Sequence, residues 1–426
     1  MVGADPNFHT CDLAGLVKQP GVCGGGRWRS LAVACVVVPL SLTLAHCSRA
    51  PSAAALAANV RESSGDTFED RFPSPQFRDR FPTPSESLAL HPMSDFVPER
   101  AAQAAPASYR VASLGPDLPY QRPTLKEDLT TLVSMKSSAF PYYGNNPASE
   151  APFLNISKGD RRGHRSYSGR VYWQDETYND NRVLLHIPEN FDVRKPGVIV
   201  VFFHGNGATL ERDVRDRQLV PQQITESGVN AVLLAPQLAV DAFDSSAGKF
   251  WEPGGFKHFI DESAPQLARL YGDPGAAKAF AKMPIIIVGY SGGFLPTAWS
   301  LEVGGATSRV RGVFLLDAVY GELDKFASWI EHNRSGFFVS SYTRYTKQRD
   351  KELIDMLRNR GITVTENMDG PLRPGSVVFV QTPNGVTHRD YVTLAWTEHP
   401  VKEVLVKMAA SPSLTRIASA PPSANR

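Results

Sequence analysis

The stretch PIIIVGYSGGF (284–294) places Ser291 between Gly289 and Gly293, directly after an apolar run. A serine hydroxyl is a poor nucleophile until a base takes its proton and the backbone exposes it. A tight strand-to-helix turn exposes it, and glycines two residues to either side allow the close backbone approach such a turn needs. Amides at the start of the following helix, that of Gly292 among them, then point toward the reacting centre, where a developing oxyanion needs donors. The alternative is a structural Gly-Ser turn, so the weight falls on whether a base and an acid stand nearby.

Of ten histidines, His9, His46 and His91 precede any strand-like pattern, and His164 falls just before the apolar runs. His186 lies inside a run, and His258 and His332 lie in helical or connecting segments. His388 and His399 remain, and His388 is preferred because it ends a Pro/Asn/Gly loop, TPNGVTH (382–388), that can swing back over a sheet. Asp317 ends the run GVFLLD (312–317), 26 residues beyond Ser291, which leaves room for one helix and one strand. A carboxylate there would hold the histidine's tautomer and stabilise its imidazolium. The competing role for Asp317 is a turn cap, and Asp350 is the reserve acid.

These residues need elements to hold them. Apolar runs of strand length occur at 169–174, 182–188, 197–203, 231–236, 284–289, 312–317, 336–341 and 376–381. From the third onward they are nearly continuous in Val, Ile, Leu and Phe, as parallel strands covered on both faces should be. Helical periodicity lies between them: Phe256, Phe259, Ile260, Leu267 and Leu270 share one face, while Leu353, Met356 and Leu357 share another, with Gly361 placed to end that helix. Alternating strands and helices predict an α/β fold with a mostly parallel central sheet of about eight strands flanked by helices. In such a sheet, chemistry collects beyond the carboxyl ends of the strands, where HGNG (204–207), GYSGG, Asp317 and His388 all fall.

The order serine, acid, histidine, preceded by a glycine-rich turn, resembles the α/β-hydrolase fold of esterases and lipases over roughly residues 165–410. The resemblance implies an acyl-transfer enzyme with Ser291 as nucleophile, His388 as base and Asp317 as acid. The family most often carries its acid after the seventh strand, but SSYTRYT (340–346) holds no carboxylate, so Asp317 corresponds to the variant with the acid after the sixth. By likeness to the family's HG-x-G loop, the backbone N–H of Asn206 is the second oxyanion donor beside Gly292, and His204 orients the loop. A phosphate-cradling loop is the rival for HGNG, but Leu210 stands where its third glycine is required. The long loop 238–256 could fold over the site with Phe250 and Trp251 as pocket walls, or pack on the core with Trp251 as a plug. Asp244, Ser245 and Ser246 could bond a polar substrate, and Trp251, Tyr290 and Tyr342 are the candidate substrate-binding residues.

Charge is nearly balanced, 45 basic against 43 acidic residues, which favours no polyanionic partner and so no nucleic acid. All four cysteines (Cys11, Cys23, Cys35, Cys47) precede residue 48, so the body can hold neither a Cys/His zinc cluster nor a disulfide framework. No metal and no cofactor are expected. Arg27 and Arg29 precede the apolar run Leu31–Ala45, and small or polar residues follow, the pattern of a secretory signal. The run is shorter than the ~20 residues of a spanning helix. LAHC resembles a lipobox with Cys47 as the lipidated residue, although His46 departs from the small residue expected there.

The expected organisation is a targeting segment (1–47), a disordered Pro/Ala/Ser-rich linker (48–125) with no sustained apolar period, the α/β-hydrolase domain (126–410) and a flexible tail (411–426). The linker repeats DRFPSP (70–75) as DRFPTP (79–84), either a local duplication in a tether or a docking motif. The chain is thus expected to be exported, periplasmic or anchored at the cell envelope through its N-terminus. Its substrate is expected to be a carboxylic ester, small or derived from the envelope, because esters need less leaving-group activation than amides. An envelope amidase or peptidase, and a non-catalytic binding protein on the same scaffold, are the alternatives. The oligomeric state is left open.

Overall fold

Every residue of the four central strands but Arg311 is buried, as the continuous apolar runs require. The computed structural model describes residues 127–411; the targeting segment, the linker with its DRFP pair and the tail beyond Ser411 lie outside the described residues. In chain order the strands are β1 (Leu129–Ser134), β2 (Ile156–Lys158), β3 (Arg161–Arg165), β4 (Val171–Trp173), β5 (Arg182–Ile187), β6 (Val198–Phe203), β7 (Ala231–Pro236), β8 (Ile285–Tyr290), β9 (Val310–Leu316), β10 (Phe337–Tyr342) and β11 (Val377–Gln381). The principal helices are α1 (Val220–Glu226), α2 (Gly255–Tyr271), α3 (Phe294–Glu302), α4 (Leu323–His332), α5 (Lys347–Asn359) and α6 (Pro400–Ala409).

The central sheet has eight strands in the order β1-β5-β7-β6-β8-β9-β10-β11. β5 runs antiparallel to both of its neighbours, and all pairs from β7 to β11 are parallel. Because side chains alternate along a strand, each strand feeds two cores. Ile285 and Ile287 of β8 enter the apolar cluster built with Phe256, Phe259 and Ile260 of α2, Phe326 of α4 and Leu353 of α5. Ile286, Val288 and Tyr290 enter the opposite cluster with Val220 and Ile224 of α1 and Val401, Val404 and Leu405 of α6. The predicted apolar faces of α2 and α5 are therefore the ones that pack, with Leu270 and Met356 at their half-buried margins. None of the described helices is long and apolar enough to cross a membrane.

The first predicted strand is the main departure from the sequence pattern. Residues 171–173 form β4 of a separate antiparallel sheet, β2-β3-β4, and the eighth strand of the central sheet is LTTLVS, β1. β1 is a half-exposed edge pairing only with β5, so it needs no continuous apolar run and its threonines conceal it.

Candidate active site

The elbow forms where β8 ends and α3 begins. Ser291 has φ 51°, a left-handed conformation that non-glycine residues rarely adopt, and such strain persists only where the surroundings hold it. Gly293 supplies one reason: a Cβ there would lie 2.2 Å from the carbonyl oxygen of Phe203 in β6. The turn after β6 lies equally close, since a Cβ on Gly205 would meet the Ser291 Cβ at 2.9 Å. One more carbon at either position would push apart the two turns that define the site.

Around Ser291 the side chains form an unbroken line. Ser291 Oγ is 2.8 Å from His388 Nε2, and His388 Nδ1 is 2.6 Å from Asp317 Oδ2. Ser291 is 3% exposed, His388 8% and Asp317 0%, so the line is shielded from water along its length. Burial pushes the Asp317 carboxyl up. The His388 partner and the hydrogen bonds from Thr343 outweigh burial and hold it below the ordinary carboxylate range. An ionised Asp317 can only accept, so His388 carries its proton on Nδ1 and Nε2 is left to accept from the serine hydroxyl.

Asp317 is itself fixed by donors from the loop after β10. Its Oδ1 accepts from the Thr343 backbone N–H at 2.9 Å and from Thr346 Oγ1 at 2.8 Å, and its Oδ2 also accepts from Thr343 Oγ1 at 2.8 Å. Its own N–H donates to the Ser341 carbonyl at 2.7 Å. In the sequence SSYTRYT stands out for the carboxylate it lacks and not for these hydroxyls. A buried acid after one strand needs donors from the next, and that is a signal the threonines do carry.

His388 is framed by aromatic rings. Tyr290 stacks on its imidazole at 5.3 Å, and the Tyr290 hydroxyl donates to the His388 carbonyl at 2.7 Å, so this tyrosine holds the histidine loop. Tyr320 and Tyr345 meet the imidazole edge-on at 6.4 and 6.2 Å. His399, the rival base, pairs instead with Glu226 of α1 at 3.2 Å.

The oxyanion candidates also come together. The Asn206 side chain lies over Gly292, where an added Cβ would meet Asn206 Oδ1 at 2.1 Å. Ser245 Oγ donates to that Oδ1 at 3.1 Å, fixing the residue from the loop after β7. The Asn206 backbone N–H has no hydrogen-bond partner among the described residues. His204 is buried and structural: Nδ1–H donates to the Gly205 carbonyl at 2.8 Å, and Nε2 accepts from the Leu238 N–H at 2.9 Å. Burial holds its pKa low.

Trp251 and Tyr342 depart from the substrate-binding role expected of them. Trp251 is buried against Tyr142 and Phe153, with ring centroids at 5.8 and 5.7 Å, and acts as the core plug. Large rings bury most of their surface when such partners exist. Tyr342 is buried on the side of β10 that faces α5, where burial and Asp350 push its phenol up. Asp244 is likewise an anchor of its loop, accepting from the Tyr178 hydroxyl at 2.7 Å and from Ser246 at 3.0 Å.

The strand order, the strained turn carrying Ser291 and the sequence of serine, aspartate and histidine at the ends of β8, β9 and β11 make this an α/β-hydrolase-like fold. No family model matches the sequence, and no curated protein does. Among solved structures, the chain is similar to a mutant of the feruloyl esterase module from Clostridium thermocellum, at 14% identity over 64% of this chain and 96% of that one, with a TM-score of 0.37. It is also similar to an S-formylglutathione hydrolase from Agrobacterium tumefaciens, at 10% identity over 60% and 96% of the two chains, with a TM-score of 0.34. A hyperthermophilic esterase from Pyrobaculum calidifontis matches at 15% identity over 61% and 86%, with a TM-score of 0.32.

Proposed function

We propose that the chain is a serine hydrolase that cleaves carboxylic esters through an acyl-enzyme. The observation that carries this reading is the continuous hydrogen-bonded line from Ser291 through His388 to Asp317, at 2.8 and 2.6 Å, on a strained strand-to-helix turn. Ser291 Oγ attacks the ester carbonyl while His388 Nε2 takes its proton. The negative oxygen of the tetrahedral intermediate accepts from the backbone N–H groups of Asn206 and Gly292. His388 then returns the proton to the leaving alkoxide, and the acyl-enzyme forms. Water, deprotonated by the same nitrogen, attacks that acyl group and regenerates the serine.

An amine leaves only when fully protonated, whereas an alkoxide needs less help, which supports ester cleavage over amide cleavage. The purified domain should hydrolyse p-nitrophenyl acetate at least ~10²-fold faster than the matching anilide. Comparable rates would make it an amidase, and no turnover of either by folded protein would favour a binding role.

Export is part of the same proposal, supported by Arg27 and Arg29 before the apolar run Leu31–Ala45 and by Cys47 after it. Envelope-derived protein should begin at or near Cys47 when its N-terminus is determined by mass. Recovery of the intact chain from the cytoplasm alone would contradict export.

A further inference from the structure

Three half-buried rings stand at the carboxyl ends of neighbouring strands, whereas the rings that pack the sheet, such as Phe203, Phe250 and Phe314, are fully buried. Phe294 opens α3 directly after the elbow, Tyr320 lies in the loop after β9, and Tyr345 lies in the loop after β10. Tyr320 and Tyr345 stand nearly perpendicular to the His388 imidazole, at 89° and 80°, with ring centroids 6.4 and 6.2 Å away. Phe294 lies 6.0 Å from Tyr320. Arg344 sits over the Tyr345 ring, its guanidinium 5.0 Å from the centroid, and donates to the Tyr345 hydroxyl at 3.1 Å, which holds this ring in place. The proton path from Ser291 through His388 to Asp317 uses none of the three rings.

Sheet order fixes which part of a substrate the rings meet. The oxyanion loop follows β6, Ser291 follows β8, and Tyr320 and Tyr345 follow β9 and β10. The nucleophile therefore lies between the oxyanion loop and the two tyrosines. The carbonyl oxygen of a bound ester must point to the Asn206 and Gly292 amides. Its leaving oxygen must come within ~3 Å of His388 Nε2, the atom that protonates it. The leaving alcohol is thus on the histidine side of Ser291, where the rings stand. Aromatic rings pair at centroid separations of about 4.5–7 Å and gain more than their buried area supplies. We propose that Phe294, Tyr320 and Tyr345 form the leaving-group subsite and that it selects an aromatic alcohol, so that the preferred substrates are esters of arylmethanols and phenols. This inference rests on the hydrolase reading above and goes beyond it by naming the alcohol.

The test measures kcat/KM for two pairs of esters on wild type, Tyr320→Leu, Tyr345→Leu and Tyr345→Phe. Benzyl acetate and cyclohexylmethyl acetate differ only in the ring of the alcohol. Both release a primary alkoxide and leave the same acetyl-enzyme, so intrinsic reactivity and deacylation cancel. Burial alone favours the more apolar saturated ring, so the sign of the preference isolates ring pairing. Ethyl phenylacetate and ethyl cyclohexylacetate carry the same two rings on the acyl side.

Wild type should prefer benzyl acetate over cyclohexylmethyl acetate about fivefold, the size of one or two ring pairs. Each leucine variant should bring that ratio below ~2, while Tyr345→Phe keeps it. General damage to the site lowers both members of a pair and leaves the ratio alone. The ethyl esters should stay within ~2-fold of each other in every protein. Equal rates for the two acetates in wild type would overturn the proposal, as would a ratio unchanged in both leucine variants. An aromatic preference confined to the ethyl esters would place the rings on the acyl side and overturn it too. Should one leucine variant not fold, the other and the wild-type ratio still decide. Turnover without aromatic preference removes the subsite and leaves the hydrolase reading standing; no turnover of any ester, p-nitrophenyl acetate included, removes both.

Discussion

Ser291→Ala should abolish ester turnover, with kcat falling by about 10⁶ when nucleophile and base act as one unit. The variant should remain folded, since alanine at φ 51° carries the same backbone strain as serine and the lost Oγ had His388 as its partner. His388→Ala should cost about as much, because an unactivated hydroxyl contributes little. The double variant should be no slower than either single one within ~3-fold, since the second change removes nothing still in use. Near-additive losses would mean that the two residues serve separate purposes, and a Ser291→Ala variant retaining a tenth of wild-type activity would remove the serine from the mechanism.

Asp317→Asn should be the second-largest effect, a fall in kcat of about 10⁴ with little change in KM. The reason lies in the four donors around this carboxylate: His388 Nδ1 and Thr343 Oγ1 at one oxygen, and the Thr343 N–H and Thr346 Oγ1 at the other. An amide must turn its NH₂ group toward one of these pairs. Facing His388, it demands an acceptor, so the imidazole proton moves to Nε2 and Ser291 loses its base. Facing the loop, it sets two N–H groups against each other, because the backbone amide of Thr343 cannot become an acceptor. Either arrangement removes the charge that stabilises the imidazolium. If Asp317→Asn lost less than tenfold, another group would have to be orienting the histidine.

The parts of this site legible in sequence are those fixed by backbone geometry. Gly289, Ser291 and Gly293 announce a turn that tolerates no side chain at its close approaches, and an apolar run just before them places the turn at a strand's end. The parts that escaped are fixed by tertiary hydrogen bonding. Thr343 and Thr346 resemble any loop threonines until Asp317 is seen against them. Ser245, which in sequence suits a substrate contact, clamps Asn206. Trp251 misled because a ring on a glycine-rich loop suits a pocket wall or a core plug equally well, and only the presence of Tyr142 and Phe153 decides. β1 escaped because an edge strand needs few apolar residues. The same contrast holds for Asp350, the reserve acid, which lies buried in the first turn of α5, accepts from Ser340 and carries no motif.

The central claim is that Ser291 is an activated nucleophile, and reaction with a fluorophosphonate followed by intact-mass measurement tests it most directly. Wild-type protein should gain the mass of one phosphonyl group, peptide mapping should place it on Ser291, and Ser291→Ala should gain none. A wild-type protein that stays folded and takes up no adduct, or one labelled equally with and without Ser291, would contradict it.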